Sequence, residues 1–316
     1  MKAIRIVEVG PRDGLQNEPK FKQLSKDALI RERVNFVTAL ADSGLKDVEA
    51  GAFVREDRVP QMASTDKVLE IIRTERPDLW KSRRFWVLVP NQKGLELALN
   101  SGAKHISVFT ATSDQFNERN IGMTVRESLK VLKPLIHEAK QARLKVRGYI
   151  STVWGCPYAG KMQPAKARSV AQDLLKFGAD EISLGDTIGV ATPKQVDVVL
   201  DLIPKKWPIA VHFHDTRGTA IANSLHAIEH GIEVVDSSAG GLGGCPYARG
   251  ASGNLATEDL LYMLHGMGFR TGVNLDAVCA ASMKLSSSLE LNLPSRYFRA
   301  WMGAQKTVPG KKLLSN

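Results

Sequence analysis

The chain has 316 residues, of which 43% are hydrophobic and 24% charged, and its formal net charge is +10. That balance reads as a globular protein with a sizeable core, and no run of roughly 18 uninterrupted apolar residues marks a membrane-spanning helix. Three cysteines, Cys156, Cys245 and Cys279, are too few for a disulfide framework, and the basic residues are scattered among acids rather than gathered into a nucleic-acid-reading module.

The first residues already enter a strand pattern, Ile4–Val9, which leaves no room for a signal or transit peptide. The last four, Leu313-Leu314-Ser315-Asn316, do not end in a peroxisomal tripeptide. A cytoplasmic protein is the expectation. Further apolar runs rich in Val and Ile follow at Asp47–Ala50, Phe85–Val89, His105–Phe109, Lys145–Ile150, Glu181–Leu184, Ile209–His214 and Glu233–Ser237. Between them lie segments of helical periodicity: Leu29, Val34, Val37 and Leu40 in the first, Val170, Leu174, Leu175 and Phe177 in the fifth, Ile221, Leu225 and Ile228 in the seventh. Gly44, Gly102, Gly178 and Gly231 stand where left-handed residues would end helices. Eight strand–helix units in regular alternation predict an α/β fold, a closed (β/α)8 TIM barrel. The first strand lacks the Gly-x-Gly-x-x-Gly of a dinucleotide fold. No linker divides the chain, so residues 1–316 read as one domain, with its core over about residues 3–290 and a short irregular tail from about residue 294.

A barrel gathers its chemistry where the strands end. Strand one ends in Gly10-Pro11-Arg12-Asp13-Gly14-Leu15-Gln16-Asn17, strand two delivers Glu49, strand six ends in Gly185-Asp186-Thr187, and strand seven carries His212-Phe213-His214. Alternate residues of a strand share a face, so His212 and His214 can reach one cation from one side, or pack as a polar pair at a strand end. Closure of the barrel brings Asp13 toward them. The amide oxygen of Asn254 would complete a mixed nitrogen–oxygen set with room for water and substrate. Such a set favours a hard or borderline divalent ion, Mg2+ or Mn2+, although its ligand types also accept Zn2+.

Arg12, next to the metal carboxylate, reads as a stabiliser of developing oxyanion charge, and with Gln16 as a substrate contact. Glu49 would orient Arg12 or form a structural salt bridge. Cys245 sits in a Gly-rich loop after strand eight, Gly240-Gly241-Leu242-Gly243-Gly244-Cys245-Pro246-Tyr247-Ala248, where exposure beside a cation would make a thiol reactive. A near-echo of it, Gly155-Cys156-Pro157-Tyr158-Ala159-Gly160, follows strand five, and Cys279 in a helical stretch reads as packing.

Together these residues closely resemble the hydroxymethylglutaryl-CoA lyases, a family of metallolyase barrels. The resemblance runs from Val7-Glu8-Val9-Gly10-Pro11-Arg12-Asp13-Gly14-Leu15-Gln16-Asn17-Glu18 to Thr271-Gly272-Val273-Asn274-Leu275, and is most specific from Val235 through the cysteine loop to Asp259. It implies Asp13, His212, His214 and Asn254 as cation ligands and Arg12 as the group that stabilises enolate charge. Cys245 would be the loop thiol serving as acid or base, with Glu49 and Asp186 as supporting catalytic carboxylates. Whether Asp186 or the Cys245 thiolate removes the first proton stays open.

The same resemblance implies a carbon–carbon lyase acting on an acyl-CoA with Mg2+ or Mn2+ and no redox cofactor, a homodimer, and no nucleic-acid or membrane partner. Departures cluster around the mouth: Gly51-Ala52, Arg55-Glu56-Asp57, Phe213, Arg217 and Pro19 stand where the family commonly has other residues. They motivate a rival reading, the same retro-Claisen cleavage of a related 3-hydroxyacyl-CoA. Further rivals are a Claisen-type synthase and a barrel that binds CoA or nucleic acid without turnover.

Overall fold

The computed structural model describes residues 2–243 and 253–307. Eight parallel strands close on themselves in the order β1-β8-β7-β6-β5-β4-β3-β2. They are β1 (Arg5–Glu8), β2 (Asp47–Ala52), β3 (Arg84–Leu88), β4 (His105–Ala111), β5 (Lys145–Ser151), β6 (Glu181–Asp186), β7 (Ile209–Phe213) and β8 (Val234–Ser237). Each of the eight runs read as strands from the sequence is a barrel strand, with ends that differ by up to two residues. The register that matters most places Val7 of β1 opposite Asp236 of β8, and Asp236 opposite His212 of β7.

Local sequence explains the helical layer. Ser25 accepts the Ala28 N–H at the head of the helix Lys26–Asp42, and Thr124 with Glu127 forms a reciprocal cap on Val125–Gln141. The four glycines expected to end helices all have positive φ. Helix stripes pack on the outward strand residues: Leu174 of the helix Pro164–Phe177 lies over Gly148 and Ile182, where a Cβ on Gly148 would meet its side chain at 3.0 Å. Beyond Pro294, where the sequence reading expected a short irregular tail, the chain instead forms one more helix, Arg296–Thr307. Ser295 Oγ accepts the Phe298 N–H, and Asp259 accepts the Arg296 and Tyr297 N–H groups, which satisfies the donors of its first turn. Among the described residues no helix is long and apolar enough to cross a membrane.

The filling of the barrel is ionic. Arg147 on β5 donates to Asp236 on β8 at 2.6 Å and to Glu181 on β6 at 2.8 Å. Arg5 on β1 pairs with Glu181, and with Asp47 at 3.3 Å, while Arg84 holds Asp47 through both oxygens. β5 does not neighbour β8, nor β1 β6, so the Arg147–Asp236 and Arg5–Glu181 contacts cross the interior, while the others join neighbouring strands. Burial alone would raise the Asp236 carboxyl, but the Arg147 guanidinium and His212 hold it below its usual range. Breaking one partner of such a buried pair costs about 3–5 kcal/mol, because the other charge stays behind unpaired.

Candidate active site

After β1 the chain does not turn into an ordinary helix. Gly10–Gly14 winds as a wide π-type turn in which the N–H groups of Arg12, Asp13 and Gly14 all approach the Val9 carbonyl. Such turns are frequent at functional sites, and this one sets Arg12 and Asp13 at the barrel mouth. Pro11 at its start has no N–H to lose.

Arg12 is almost fully buried. Its Nε donates to Glu49 Oε2 at 2.7 Å and its Nη1 to Asp13 Oδ1 at 2.6 Å, with the guanidinium 5.5 Å above the Tyr149 ring. Burial opposes the charge on Arg12, but Glu49 and Asp13 outweigh it and raise its pKa further. Glu49 is itself buried and accepts from Ser107 at 2.6 Å. The register of β2 against β3 slips between Glu49 and Gly51, and such bulges re-aim side chains. Glu49 therefore forms a salt bridge and orients Arg12 at once; the two alternatives read from the sequence describe one contact.

Asp13, His212 and His214 each offer a ligand atom, and these atoms all lie within 4.8 Å of one another. The two imidazoles have ring centroids 5.2 Å apart. Burial would raise the Asp13 carboxyl, but Arg12 and both imidazoles hold it well below the usual carboxylate range. Burial, with His212 alongside, pushes His214 down to about 4, so its ring is neutral and free to ligate at neutral pH. His212 places Nδ1 3.4 Å from Asp236 Oδ2, at ion-pair distance but without a hydrogen bond. Gln16 donates to Asp13 Oδ1 at 3.0 Å, and Asn254 to Asp13 Oδ2 at 2.9 Å.

The donor set fits a divalent cation. The buried atoms His214 Nδ1 and Asn254 Oδ1 have no hydrogen-bond partner among the described residues, and buried polar atoms left this way ask for one. His214 pairs with Asn254 in an isolated antiparallel bridge, which holds the chain at residue 254 against the end of β7. Gly243, at φ +117, lies so close that a Cβ there would meet Asn254 Nδ2 at 2.6 Å.

Asp186 lies at the end of β6. On β6, Glu181 and Ser183 face the interior, meeting Arg147 on the neighbouring β5 and Asp236 on β8, so Asp186 has the opposite parity. Its two oxygens accept the Val190 and Ala191 N–H groups at 3.0 and 2.9 Å, which ties down the loop after β6. Burial raises its pKa. In the structure it anchors the segment after β6 through these two contacts. Cys245, with residues 244–252, lies outside the described residues. Cys156 is buried in a small hairpin, its thiol against Ser113 at 3.1 Å, and Cys279 is fully buried in the helix Leu275–Leu289.

Tyr149 and Asp236 at the site entered the sequence reading within the strand runs Lys145–Ile150 and Glu233–Ser237, with no role of their own. Alternation on β5 could have flagged the first, since Arg147 and Tyr149 share a face with Lys145.

A closed parallel barrel whose mouth joins two imidazoles, a carboxylate and a buried guanidinium is the frame of a metal-assisted barrel enzyme. The chain belongs to the HMGL-like family, whose model matches residues 3–284. It is 44% identical over 292 residues to a hydroxymethylglutaryl-CoA lyase of Pseudomonas mevalonii, covering 92% of this chain and 93% of that one. It is 43% identical over 303 residues to a 3-hydroxy-3-isohexenylglutaryl-CoA/hydroxy-methylglutaryl-CoA lyase of Pseudomonas aeruginosa, covering 95% of this chain and 97% of the relative. The crystal structure of the Bacillus subtilis HMG-CoA lyase superposes with a TM-score of 0.89 at 41% identity, over 96% of this chain and 99% of that one.

The departures from the family pattern fall outside the ion set. Phe213 has the outward parity of β7 and packs on Trp154 with ring centroids 5.1 Å apart. Arg217 donates to the Ile188 and Gly189 carbonyls. Gly51 makes room for the buried Arg33, whose Nη2 would lie 2.2 Å from a Cβ there.

Proposed function

We propose that the protein is a carbon–carbon lyase that cleaves 3-hydroxy-3-methylglutaryl-CoA into acetyl-CoA and acetoacetate. Its cation, Mg2+ or Mn2+ in this reading, would be held by Asp13, His212, His214 and Asn254. The observation that carries the proposal is the convergence of Asp13, His212 and His214 within 4.8 Å, one residue from a buried arginine and beside an amide oxygen that lacks a partner. When bound, a divalent cation supplies Lewis acidity and a template for the 3-hydroxyl and a neighbouring oxygen of the substrate.

The chain's own residues do the rest. The 3-hydroxyl loses its proton, the electron pair forms the ketone, and the C2–C3 bond breaks so that its pair passes to C2 as the acetyl-CoA enolate. Arg12, held by Glu49 and Asp13, faces that developing negative charge already oriented, so no reorganisation is needed as the bond breaks. Protonation of C2 completes acetyl-CoA, and we assign that donor to Cys245. The first base is better sought in Cys245 than in Asp186, since both Asp186 oxygens are occupied by backbone donors. The reported relatives are named as lyases, which favours cleavage over condensation and over binding without turnover. The net charge of +10 suits the phosphates of CoA.

The test is release of acetoacetate from 3-hydroxy-3-methylglutaryl-CoA with Mg2+ and with chelator. Turnover that chelation abolishes supports the reading; a protein inert with Mg2+, Mn2+ and Zn2+ alike overturns it. The P. aeruginosa relative is named for a substrate with an isohexenyl chain as well, so a longer acyl chain is a second reading. A comparison of kcat/KM on the two substrates decides between them.

A further inference from the structure

We propose a second metal site, on the outside of the barrel, that takes a borderline transition cation such as Zn2+ and clips together the two helices flanking β7. Its ligands are Asp197 of the helix Pro193–Leu200, and His226 and His230 at the end of the helix Ala220–Glu229. One ligand atom from each lies within 4.8 Å of the others. Both imidazoles aim Nε2 at the same carboxylate oxygen, Asp197 Oδ1, from 2.5 Å for His226 and 3.2 Å for His230. Asp201 Oδ1 stands 3.5 Å from His230 Nε2, beside this set of three.

The spacing follows from helix geometry. His226 and His230 are four residues apart, so their helix presents two ligands from successive turns of one face. Around a tetrahedral Zn2+, with bonds near 2.0–2.2 Å, ligand atoms lie about 3.4 Å apart. The edge from His230 to Asp197, 3.2 Å, already has about that length. The edge from His226 to Asp197 opens by roughly 1 Å to admit the ion.

Electrostatics supply a separate argument. Asp197 lies in the last turn of its helix and Asp201 is the residue that ends it, where the helix dipole disfavours negative charge. A cation between the two helix ends removes that conflict. Asp197, His226 and His230 side chains are about one-third exposed, so an ion can enter from solvent without unfolding. Two imidazoles with a carboxylate suit Zn2+ better than Mg2+ or Ca2+, which prefer all-oxygen shells.

The place is distinct from the mouth. Helices in a barrel run back from the C-terminal ends of strands, so the last turns that carry Asp201 and His230 sit toward the opposite end from His212 and His214. The two helices flank β7, the strand that bears both mouth imidazoles, so the clip would stiffen the wall behind them. It assigns no role in the reaction itself, and holds or fails independently of the lyase reading.

Equilibrium dialysis against Zn2+, with metal counted per chain, tests it. The wild type should bind two Zn2+, a His226→Gln/His230→Gln variant one, and His212→Ala one. The triple variant should bind none. Activity with Mg2+ should be unchanged in His226→Gln/His230→Gln, and Asp197→Asn should lose the same outer ion if that double variant folds poorly. A wild type that binds a single Zn2+, lost on His212→Ala alone, would overturn the proposal. So would outer-helix variants that still bind two.

Discussion

Two buried acids hold the described segment that leads up to residue 243, and one of them offers a sharp test. Glu258 accepts the Gly240 N–H on both oxygens at 2.9 and 2.8 Å and the Ser282 hydroxyl at 2.5 Å. Glu8 accepts the Ala239 and Gly10 N–H groups and the Thr257 hydroxyl. Burial pushes Glu258 up to about 8 and Glu8 up to about 7. An acid whose folded value lies above its unfolded one keeps its proton better when folded. Stability is therefore highest below the unfolded value and is lost as pH climbs toward the folded value.

For Glu258 the steep part between pH 6 and pH 9 spans about two pH units, at about 1.36 kcal/mol each, so ionisation costs ~3 kcal/mol over that interval. Glu258→Gln copies the protonated form, keeps an oxygen for Gly240 and has no proton to lose. Urea unfolding of both proteins at pH 6 and pH 9 should show the variant gaining on the wild type by ~3 kcal/mol at the higher pH. The variant should retain a smaller slope, ending near pH 7, from Glu8. If the two stability curves run parallel over that range, Glu258 is not protonated in the fold and the account of this segment is wrong.

Other substitutions probe the mouth. Gly243→Ala would drive a Cβ to within 2.6 Å of Asn254 Nδ2, so Mg2+ affinity measured by calorimetry should fall by tenfold or more, as ~1.4 kcal/mol of displacement suffices for that. Arg12→Lys cannot span Glu49 and Asp13 with one ammonium; kcat should drop by roughly 10–100-fold with ion binding retained, since a point charge does not replace the fork. An Arg12→Lys enzyme with full kcat would remove the guanidinium from the chemistry. Asp236→Asn leaves Arg147 with Glu181 as its one carboxylate partner and frees His212, so it should cost roughly 1–3 kcal/mol in urea unfolding and weaken the mouth ion as well; loss of neither would detach the interior from the site.

The sequence carried the strands because each run is short, Val- and Ile-rich and followed by a helical stripe. His212 and His214 were legible through the two-residue period of a strand, and Arg12-Asp13 through their place at its end. The backbone partners of Asp186 were hidden until that same period was applied: counted from Glu181 and Ser183 it falls on the other face. The charged filling was hidden because Arg147 meets Asp236, and Arg5 meets Glu181, only across the closed barrel, and no local pattern announces a partner on a strand that is not a neighbour. The helix Arg296–Thr307 depends on Asp259, distant in sequence, to satisfy its first turn.

The charged filling also limits how such a barrel can change. Arg5, Arg84 and Arg147 stand against Asp47, Glu181 and Asp236, three cations to three anions, so the floor beneath the mouth is neutral as a whole. A divalent ion above it feels the ligands and Arg12 rather than a bias from below. Any drift in that floor must then proceed by compensated exchanges, an acid and a base replaced together, whereas the rim can vary one residue at a time.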